Sequence, residues 1–325
     1  MRAAYYEKNG PAAEVLLVGE VETPKPGPGE VRVRLRASGV NPSDVKTRAG
    51  TVRKIAFPRV IPHSDGAGEI DQVGEGVSSR RVGERVWTFN AAWRRPFGSA
   101  AEYVVLPEHL VARLPDSVSF EAGAGLGIPA MTGYQAIEYA DAQKGMTLLI
   151  AGGAGAVAQY AIQFAKARGA SVIATISSDE KAKLAREAGA DHAINYKTEN
   201  VGERVMQITD KRGVDTVVEI DFAANAKMLP TVLRPRGNVV IYGNNGEATV
   251  PSPFFLGNTI RLQFFLVYEL DKEERERTVA GITAMLEKNR LLNRAGPSFG
   301  LDQIVAAHEA MEAAKTAGKI VLQMG

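Results

Sequence analysis

Residues 146–168 constrain the fold of this chain most, because an apolar run, a glycine-rich turn and an amphipathic segment follow one another there. The apolar run at 146–151 predicts a short buried strand, and the helical spacing of apolar residues after the turn predicts a helix. Within the turn, Gly153, Gly155 and Ala158 form the pattern G-x-G-x-x-A. Strand, turn and helix in this order favour a dinucleotide site over a glycine-rich turn that binds nothing.

Each small residue of the turn has its own predicted role. Gly153 is expected to permit the tight turn, and Gly155 to let backbone N–H groups approach a pyrophosphate without a Cβ in the way. Ala158 is small enough for helix and strand to pack closely. The first N–H groups of the helix and the positive end of its dipole are expected to receive the phosphate charge.

Two patterns divide the rest of the chain. Residues 31–37 alternate apolar and basic side chains, and further short strands separated by turn signals predict a small N-terminal barrel. After Pro115, strands and helices alternate, which predicts a parallel, doubly wound sheet. A final strand at 319–322 needs a sheet to join, and the barrel is the expected host. The expected elements after Pro115 include helices at 179–188, 201–209, 224–233 and 272–288, and strands at 171–176, 192–195, 216–220, 237–242 and 260–268.

Composition excludes several classes of function. Hydrophobic residues make up 45% and charged residues 23% of the chain, as in ordinary globular proteins. A net charge of +2 gives no electrostatic reason to expect binding to nucleic acid or membrane. No apolar run approaches the length that spans a bilayer, and residues 1–8 contain no signal-peptide core. We therefore expect a soluble, cytoplasmic protein.

Metal chemistry has little support in the sequence. The chain has no cysteine, which excludes disulfides, thiolate nucleophiles and zinc–sulfur sites. Its four histidines are His63, His109, His192 and His308, and no two of them have the i, i+4 spacing of a metal site. His63 with Asp65 is the remaining candidate pair, but the number of ligands that zinc requires favours a loop histidine without metal.

Several motifs also lie in an order typical of one family. They are GVNPSD at 39–44, IPHSDGAG at 61–68, VGERV at 82–86, GSAAEY at 98–103, ADHAINY at 190–196 and GKIVL at 318–322. Over its whole length the chain resembles the zinc-free quinone oxidoreductase (ζ-crystallin-like) branch of the medium-chain dehydrogenase/reductase superfamily. Zinc-containing relatives have a cysteine near Asn41 and a histidine at the position of Ser64, and this chain has neither.

The resemblance implies an architecture and a reaction. A GroES-like β-barrel catalytic domain is expected at 1–122 plus 269–325, and a Rossmann domain that binds NADPH at 123–268. Without zinc there is no Lewis acid to polarise an alcohol. The expected chemistry is hydride transfer to a quinone or to the β-carbon of an enone, with a proton from solvent or a weakly placed donor.

The end of the second strand of the Rossmann domain distinguishes the two nicotinamide cofactors. An NAD site usually has an acidic residue there, which binds the ribose 2′-hydroxyl. Ile176 occupies that position, and Asp179 is interpreted as a first-turn helix residue. NADPH is therefore predicted, because a cation such as Lys181 together with nearby hydroxyls suits a phosphate. The alternative is that Lys181 is only a solvated helix residue. The 2′-phosphate binders of the family match Ser177 or Ser178, Lys181 and Tyr196.

Further cofactor contacts are implied by the resemblance. Thr132 matches a residue beside the nicotinamide, and the backbone at 264–267 matches a stretch that lines it. For that stretch, strand core or a dimer edge is the alternative interpretation. The implied cofactor residues outside the 2′-phosphate site are Asn41, Thr132, Gly153, Gly155, Ala156, Val157, Gly243, Asn244, Phe264, Leu266, Val267 and Lys319.

Four residues are candidates for the reacting site. In the family, Asn41 and Asp44 lie on the loop that faces the nicotinamide; Asn41 would hold the cofactor or the substrate oxygen, and Asp44 is catalytic or structural. Lys46 stands where close quinone reductases often have tyrosine, and it either stabilises a developing oxyanion or points into solvent. Trp93, beside two arginines, either covers a flat quinone ring in the substrate pocket or is an exposed loop aromatic.

The leading interpretation is an NADPH-dependent reductase of a small-molecule quinone or enone. A reductase of carbon–carbon double bonds in alkenals or enoyl thioesters is the enzymatic alternative. A non-catalytic NADPH-binding protein with a structural or RNA-binding role is the alternative from another class. The strand expected at 260–268 would pair with its copy across a homodimer.

Overall fold

The computed structural model describes residues 1–313 and 318–325, which form two compact units. The barrel unit comprises Met1–Ile128 and Thr283–Gly325, and the parallel-sheet unit comprises Pro129–Ile282. These boundaries differ from the expected ones, since most of the helix expected at 272–288 belongs to the parallel-sheet unit. The reason is packing, because the Thr278 hydroxyl donates a hydrogen bond of 3.0 Å to the Gln135 side chain of that unit.

Short strands dominate the barrel unit, and strands alternate with helices in the parallel-sheet unit. Within the described residues, the strands are β1 (Arg2–Tyr5), β2 (Leu17–Glu20), β3 (Glu30–Gly39), β4 (Asp65–Val73), β5 (Arg85–Thr88), β6 (Tyr103–Pro107), β7 (Val111–Arg113), β8 (Thr147–Ile150), β9 (Ser171–Ile176), β10 (His192–Asn195), β11 (Val214–Glu219), β12 (Leu233–Ile241), β13 (Arg261–Phe264), β14 (Ala295–Gly300) and β15 (Lys319–Gln323). The α-helices there are α1 (Ala12–Val15), α2 (Pro42–Ala49), α3 (Phe120–Gly123), α4 (Met131–Tyr139), α5 (Ala156–Ala167), α6 (Asp179–Glu187), α7 (Val201–Ile208), α8 (Phe222–Asn225), α9 (Leu229–Val232), α10 (Ser252–Asn258), α11 (Lys272–Glu287) and α12 (Ile304–Glu312). Of these helices, none is both long and apolar enough to cross a bilayer.

Strand β3 is central to the barrel unit because it pairs with three other strands. Its first half pairs with β6 and its last residues pair with β15, while β4 runs along its other edge. The predicted alternation is confirmed, since Val31, Val33 and Leu35 are buried and the arginines between them are not. The pairing of β15 with β3 also confirms that the final strand joins the barrel.

The parallel-sheet unit is built on a sheet with the strand order β10-β9-β8-β11-β12-β13, in which neighbouring strands are parallel. Strand order reverses between β8 and β11, and this is the point at which ligands bind open α/β sheets. The apolar run of β8 is buried on both faces, with Leu148, Leu149 and Ile150 fully inaccessible. The predicted doubly wound sheet is therefore confirmed.

Among the predicted elements, the strand expected at 237–242 begins earlier, at Leu233, and two others also differ from the structure. The helix expected at 224–233 is broken into α8, a 3-10 turn and α9, with Pro230 in the first turn of α9. The strand expected at 260–268 ends at Phe264, because Phe264 pairs with Ile241, the last residue of the neighbouring strand β12. The apolar residues that follow lead into a 3-10 turn at Val267–Glu269 instead.

Candidate active site

The glycine-rich turn joins β8 to α5 in the parallel-sheet unit. The positive φ that the turn requires is at Gly152, with φ of 67°, which corrects the role predicted for Gly153. Gly153 serves close packing instead, since a Cβ there would lie 2.6 Å from the Cβ of Ala174. The N–H of Gly153 donates to the Thr175 carbonyl of β9 at 2.8 Å, which ties the turn to the sheet.

Helix α5 begins directly after Gly155, which is its N-cap residue and has no side chain to cap it. The first N–H groups of a helix, here at Ala156 and Val157, have no intrahelical acceptor. Ala158 is fully buried, as its predicted packing role requires. This helix start has the geometry that suits a pyrophosphate, which stays a prediction for these residues.

At the end of β9, the structure brings together the side chains predicted to bind a 2′-phosphate. The ammonium of Lys181 donates a 3.1 Å hydrogen bond to the Ser177 hydroxyl, whereas the Ser178 hydroxyl caps α6 by accepting from the Lys181 N–H. Tyr196 follows β10, its N–H donates to the Ile176 carbonyl at 3.1 Å, and its side chain is 53% exposed. Ammonium and hydroxyl groups beside the buried, uncharged Ile176 fit a phosphate better than a ribose 2′-hydroxyl.

Gly243 and Asn244 join the loops that follow β11 and β12. A Cβ at Gly243 would lie 2.0 Å from the Ile220 carbonyl oxygen, so only glycine fits there. The Asn244 side chain accepts a 2.9 Å hydrogen bond from the Ala223 N–H and donates to the Gly246 carbonyl. Both residues therefore have structural roles in this unit, and cofactor contact by either stays a prediction.

The remaining residues predicted to line the nicotinamide differ in exposure. Thr132 is buried in the first turn of α4, and Val267 is buried after β13. Phe264 and Leu266 are about half exposed, and the Phe264 ring packs edge-on against Phe222 with centroids 5.3 Å apart. Their cofactor contacts remain predictions.

In the barrel unit, a buried polar cluster forms around Asn41, which precedes α2. The Asn41 side-chain nitrogen donates to Asp65 at 2.8 Å, and its side-chain oxygen accepts from Lys319. The Lys319 ammonium also donates to the same Asp65 oxygen at 2.8 Å. Asp65 begins β4 and Lys319 begins β15, and both strands pair with Gly39 or its neighbours at the end of β3. The ends of three barrel strands therefore place an amide, a carboxylate and an ammonium within hydrogen-bonding distance.

A backbone hydrogen bond and a glycine also support this Asn41–Asp65–Lys319 cluster. The second Asp65 oxygen accepts a 2.7 Å hydrogen bond from the Ile128 N–H, so both carboxylate oxygens have partners. Gly39 makes room for the lysine, since a Cβ there would lie 2.7 Å from the Lys319 Cε. From sequence, Asp65 was considered only as a metal partner of His63 and as part of the motif at 61–68, and its pairing with Asn41 and Lys319 was not predicted.

Asp44 acts as a structural cap in this arrangement. Its carboxylate accepts a 2.8 Å hydrogen bond from the Asn41 N–H at the start of α2. Burial, together with the nearby Asp65 charge, raises the pKa of Asp44 to about 7, while Lys319 acts in the opposite direction. Lys46 lies on the exposed side of the same helix. Asn41 and Asp44 are thus adjacent to Lys319, whereas Lys46 faces outward.

Trp93 lies in a loop after β5 and is partly buried. The Arg53 guanidinium lies over its ring, 4.2 Å from the centroid, and the Arg94 guanidinium lies 5.5 Å from it. These are cation–π distances. The neighbouring arginines predicted from sequence are thus supplemented by Arg53, which comes from a different loop.

His63 and Asp65, the candidate metal pair, are already engaged in hydrogen bonds. His63 Nδ1 is 2.9 Å from the Ser38 hydroxyl, and its Nε2 is 2.9 Å from Nε2 of His308. Burial lowers the pKa of both imidazoles, that of His308 to about 3. Across residues 1–313 and 318–325, no three His, Asp or Glu side chains are grouped so as to hold a metal ion.

Known proteins resemble this chain over nearly its whole length. The alcohol dehydrogenase GroES-like domain matches residues 27–116, and the zinc-binding dehydrogenase domain matches residues 156–284. A quinone oxidoreductase of Pseudomonas aeruginosa is 33% identical, with 95% of each chain covered. A 2-haloacrylate reductase of a Burkholderia species is 30% identical, with 99% of this chain and 98% of the relative covered.

Two solved structures share the fold. One is described as an NAD-dependent alcohol dehydrogenase, with a TM-score of 0.90, 30% identity and full coverage of both chains. The other is the quinone oxidoreductase of Escherichia coli complexed with NADPH, with a TM-score of 0.87, 25% identity and coverage of 99% of this chain and 100% of that chain. With its cysteine-free sequence and these relatives, the chain belongs to the zinc-free quinone oxidoreductase branch of the medium-chain dehydrogenase/reductase superfamily, and it is an oxidoreductase.

Proposed function

We propose that this protein is an NADPH-dependent reductase that delivers a hydride to a quinone or enone. The observation that carries the proposal is the Ser177–Lys181 pair beside Ile176 at the end of β9. A phosphate would replace the single hydrogen bond of that pair with several charge-assisted ones. The Escherichia coli relative in complex with NADPH supports the same cofactor.

We assign the cofactor to the parallel-sheet unit and the acceptor to the barrel unit. In the former, the start of α5 would bind the pyrophosphate, and Ser177, Lys181 and Tyr196 the 2′-phosphate. When bound, NADPH supplies the hydride. In the barrel unit, the Asn41–Asp65–Lys319 cluster holds the Asn41 amide in one orientation. We propose that the remaining donor and acceptor positions of this amide serve the acceptor.

The cofactor assignment is tested by the variant Lys181→Met. The wild type is expected to prefer NADPH, and the variant to lose about 10-fold or more in kcat/KM for NADPH, since a charge-assisted hydrogen bond contributes about 1.5–3 kcal/mol. Its kcat/KM for NADH should change little. Lys183→Met is the matched control, because Lys183 is on the same helix with its side chain 78% exposed. A wild-type preference for NADH would refute the assignment.

A second candidate is reduction of a carbon–carbon double bond conjugated to a carbonyl. It is favoured by the 2-haloacrylate reductase among the relatives. NADPH oxidation measured with quinones, enones, alkenals and enoyl thioesters at equal concentration would rank the two candidates. If none of these acceptors oxidises NADPH, a non-catalytic role is favoured instead.

We further propose that two copies pair through β13. This strand is the last in the sheet order and is bonded to β12 on one edge. Three apolar side chains in and around it are strongly exposed, namely Leu256 at 86%, Phe264 at 54% and Leu266 at 47%. An edge strand flanked by exposed apolar side chains is a site where a second copy can add its own strand.

A further inference from the structure

The Arg53 guanidinium differs from three other guanidinium groups that stack on aromatic rings in the barrel unit. Arg59 over Tyr5 also binds Glu7, with a closest contact of 2.8 Å. Arg32 over Tyr103 binds Asp71 at 2.8 Å in the same way. Arg85 over Phe120 has a carboxylate, that of Asp116, at 3.7 Å.

The Arg53 guanidinium also stacks on an aromatic ring, but among the described residues no carboxylate pairs with it. Its guanidinium lies 4.2 Å from the Trp93 centroid, and within residues 1–313 and 318–325 no Asp or Glu oxygen lies within 4.0 Å of it. Arg53 is exposed, and so is the second cation near the ring, Arg94. An exposed guanidinium held over a flat ring presents its planar fork to an anion from outside the chain.

The loop that carries Arg53 is tied down at both ends. On one side, the Thr51 hydroxyl donates to the Lys46 carbonyl at 3.1 Å. On the other, the Ile55 N–H donates to the Asn9 side chain at 2.8 Å. Because the loop is tethered, less conformational entropy is lost when its arginine binds a ligand.

The loop that carries Arg53 directly follows α2 and is bonded to Lys46 in the last turn of that helix. Burial and then the Asp44 carboxylate raise the pKa of Tyr6 to about 12, whereas Arg53 and Arg48 act to lower it. The charges of Asp44 and Arg53 therefore both affect the Tyr6 hydroxyl. Asp44 also caps α2 next to Asn41. Arg53 is therefore carried by the segment next to the helix that has Asn41 at its start, in the unit to which the acceptor is assigned.

We propose that Arg53 binds the carboxylate of the acceptor while Trp93 covers its conjugated part, so that the substrate is a small α,β-unsaturated carboxylate. This inference rests on the proposed function. The reaction adds a hydride from NADPH to C3 of the acid and a proton from solvent to C2. The carbon–carbon double bond becomes a single bond, and NADPH is oxidised to NADP⁺.

The kinetic test compares an unsaturated carboxylate with its neutral methyl ester, using 2-chloroacrylate and methyl 2-chloroacrylate. Arg53→Met should lower kcat/KM for the acid about 10- to 100-fold and leave the ester within about 2-fold, because only the acid carries the charge. For the wild type, KM for the acid should also rise with salt. Lys54→Met is the matched control, since it removes the adjacent exposed cation and should change neither substrate by more than about 2-fold. Equal losses for acid and ester would overturn the inference.

A binding measurement separates this inference from the proposed function. Saturation-transfer NMR without NADPH should detect 2-chloroacrylate on the wild type and on Lys54→Met, but not on Arg53→Met. If quinones or enones oxidise NADPH while the acid shows no Arg53-dependent binding, the proposed carboxylate site is refuted and the proposed reductase function is retained. If the acid binds through Arg53 but none of the acceptors tested oxidises NADPH, the proposed reductase function is refuted. Inorganic phosphate that displaces the acid at an equal concentration would show a general anion site and overturn the carboxylate assignment.

Discussion

At the scale of single residues, the Asp65–Lys319 pair matters most for the candidate site. Both side chains are almost completely buried, and each also binds Asn41. Charges in this setting are costly to separate, because removing one partner leaves the other charge buried and uncompensated. Removing both together is far less costly.

This asymmetry predicts the outcome of a double-mutant cycle. Lys319→Met should lower the free energy of unfolding by about 3–5 kcal/mol, and Asp65→Asn by a similar amount. The double variant Asp65→Asn/Lys319→Met should lose clearly less than the sum of the two, when urea unfolding is followed by fluorescence. Additive losses would show that the two charges do not interact. Lys288→Met, an exposed lysine of the same unit, is the neutral control.

The same residues show why sequence predicted only part of the site. Asn41, Asp44 and Lys319 belong to family motifs, and they do come together. Asp65 was missed as their partner because it meets Lys319 across 254 positions of sequence, and no local pattern encodes such a contact. The turn at Gly152 was misassigned by one residue, because adjacent glycines look alike in sequence and only the backbone shows which one has the positive φ.

At the scale of elements, helix α2 depends on its N-terminal cap. The Asp44 carboxyl that accepts from the Asn41 N–H has its pKa raised from 3.8 to about 7. The folded protein therefore keeps a proton that the unfolded chain has released between about pH 4 and pH 7. A group that binds more protons in the folded state makes the free energy of unfolding fall as pH rises through this window.

The variant Asp44→Asn should remove this pH dependence. The amide oxygen still accepts from the Asn41 N–H, but it has no charge to bury. The stability of the variant relative to the wild type should therefore increase from about pH 4 to pH 7 and then level off. Urea titrations followed by the fluorescence of Trp87, which is fully buried in the barrel unit, would measure it. Stability curves that stay parallel from pH 4 to pH 8 would contradict the shifted pKa.

The prediction of helices and strands succeeded where the apolar pattern of a segment matches its burial in the folded sheet. The alternation in β3 and the apolar run in β8 both gave correct strands, since each pattern matches the burial of its sheet. The strand at 260–268 was predicted too long, because apolar character cannot show that the neighbouring strand β12 ends at Ile241. The helix at 224–233 was predicted as continuous although Pro230 interrupts the helical hydrogen bonding.

At the scale of the whole molecule, the proposed dimer makes a prediction about mass. Light scattering should give twice the mass of one chain. Leu256→Lys should weaken the association about 10-fold or more, because a charge replaces an apolar side chain that is 86% exposed in the single chain. The variant should remain folded as a monomer, because the substitution removes little packing within the chain. A wild type that is monomeric at micromolar concentration would refute the dimer.

Strand β3 pairs with β6 over its first half and with β15 at its end, and this change of pairing strand has a consequence for biosynthesis. The parallel-sheet unit lies between the two segments of the barrel unit in the chain. A ribosome therefore finishes the parallel-sheet unit before β15 emerges. Until then the nascent barrel has an uncovered stretch on β3 and a buried-site carboxylate, Asp65, without its ammonium. Since domains generally fold as units during synthesis, the parallel-sheet unit should become protease-resistant first, and the barrel unit only after β15 has been released.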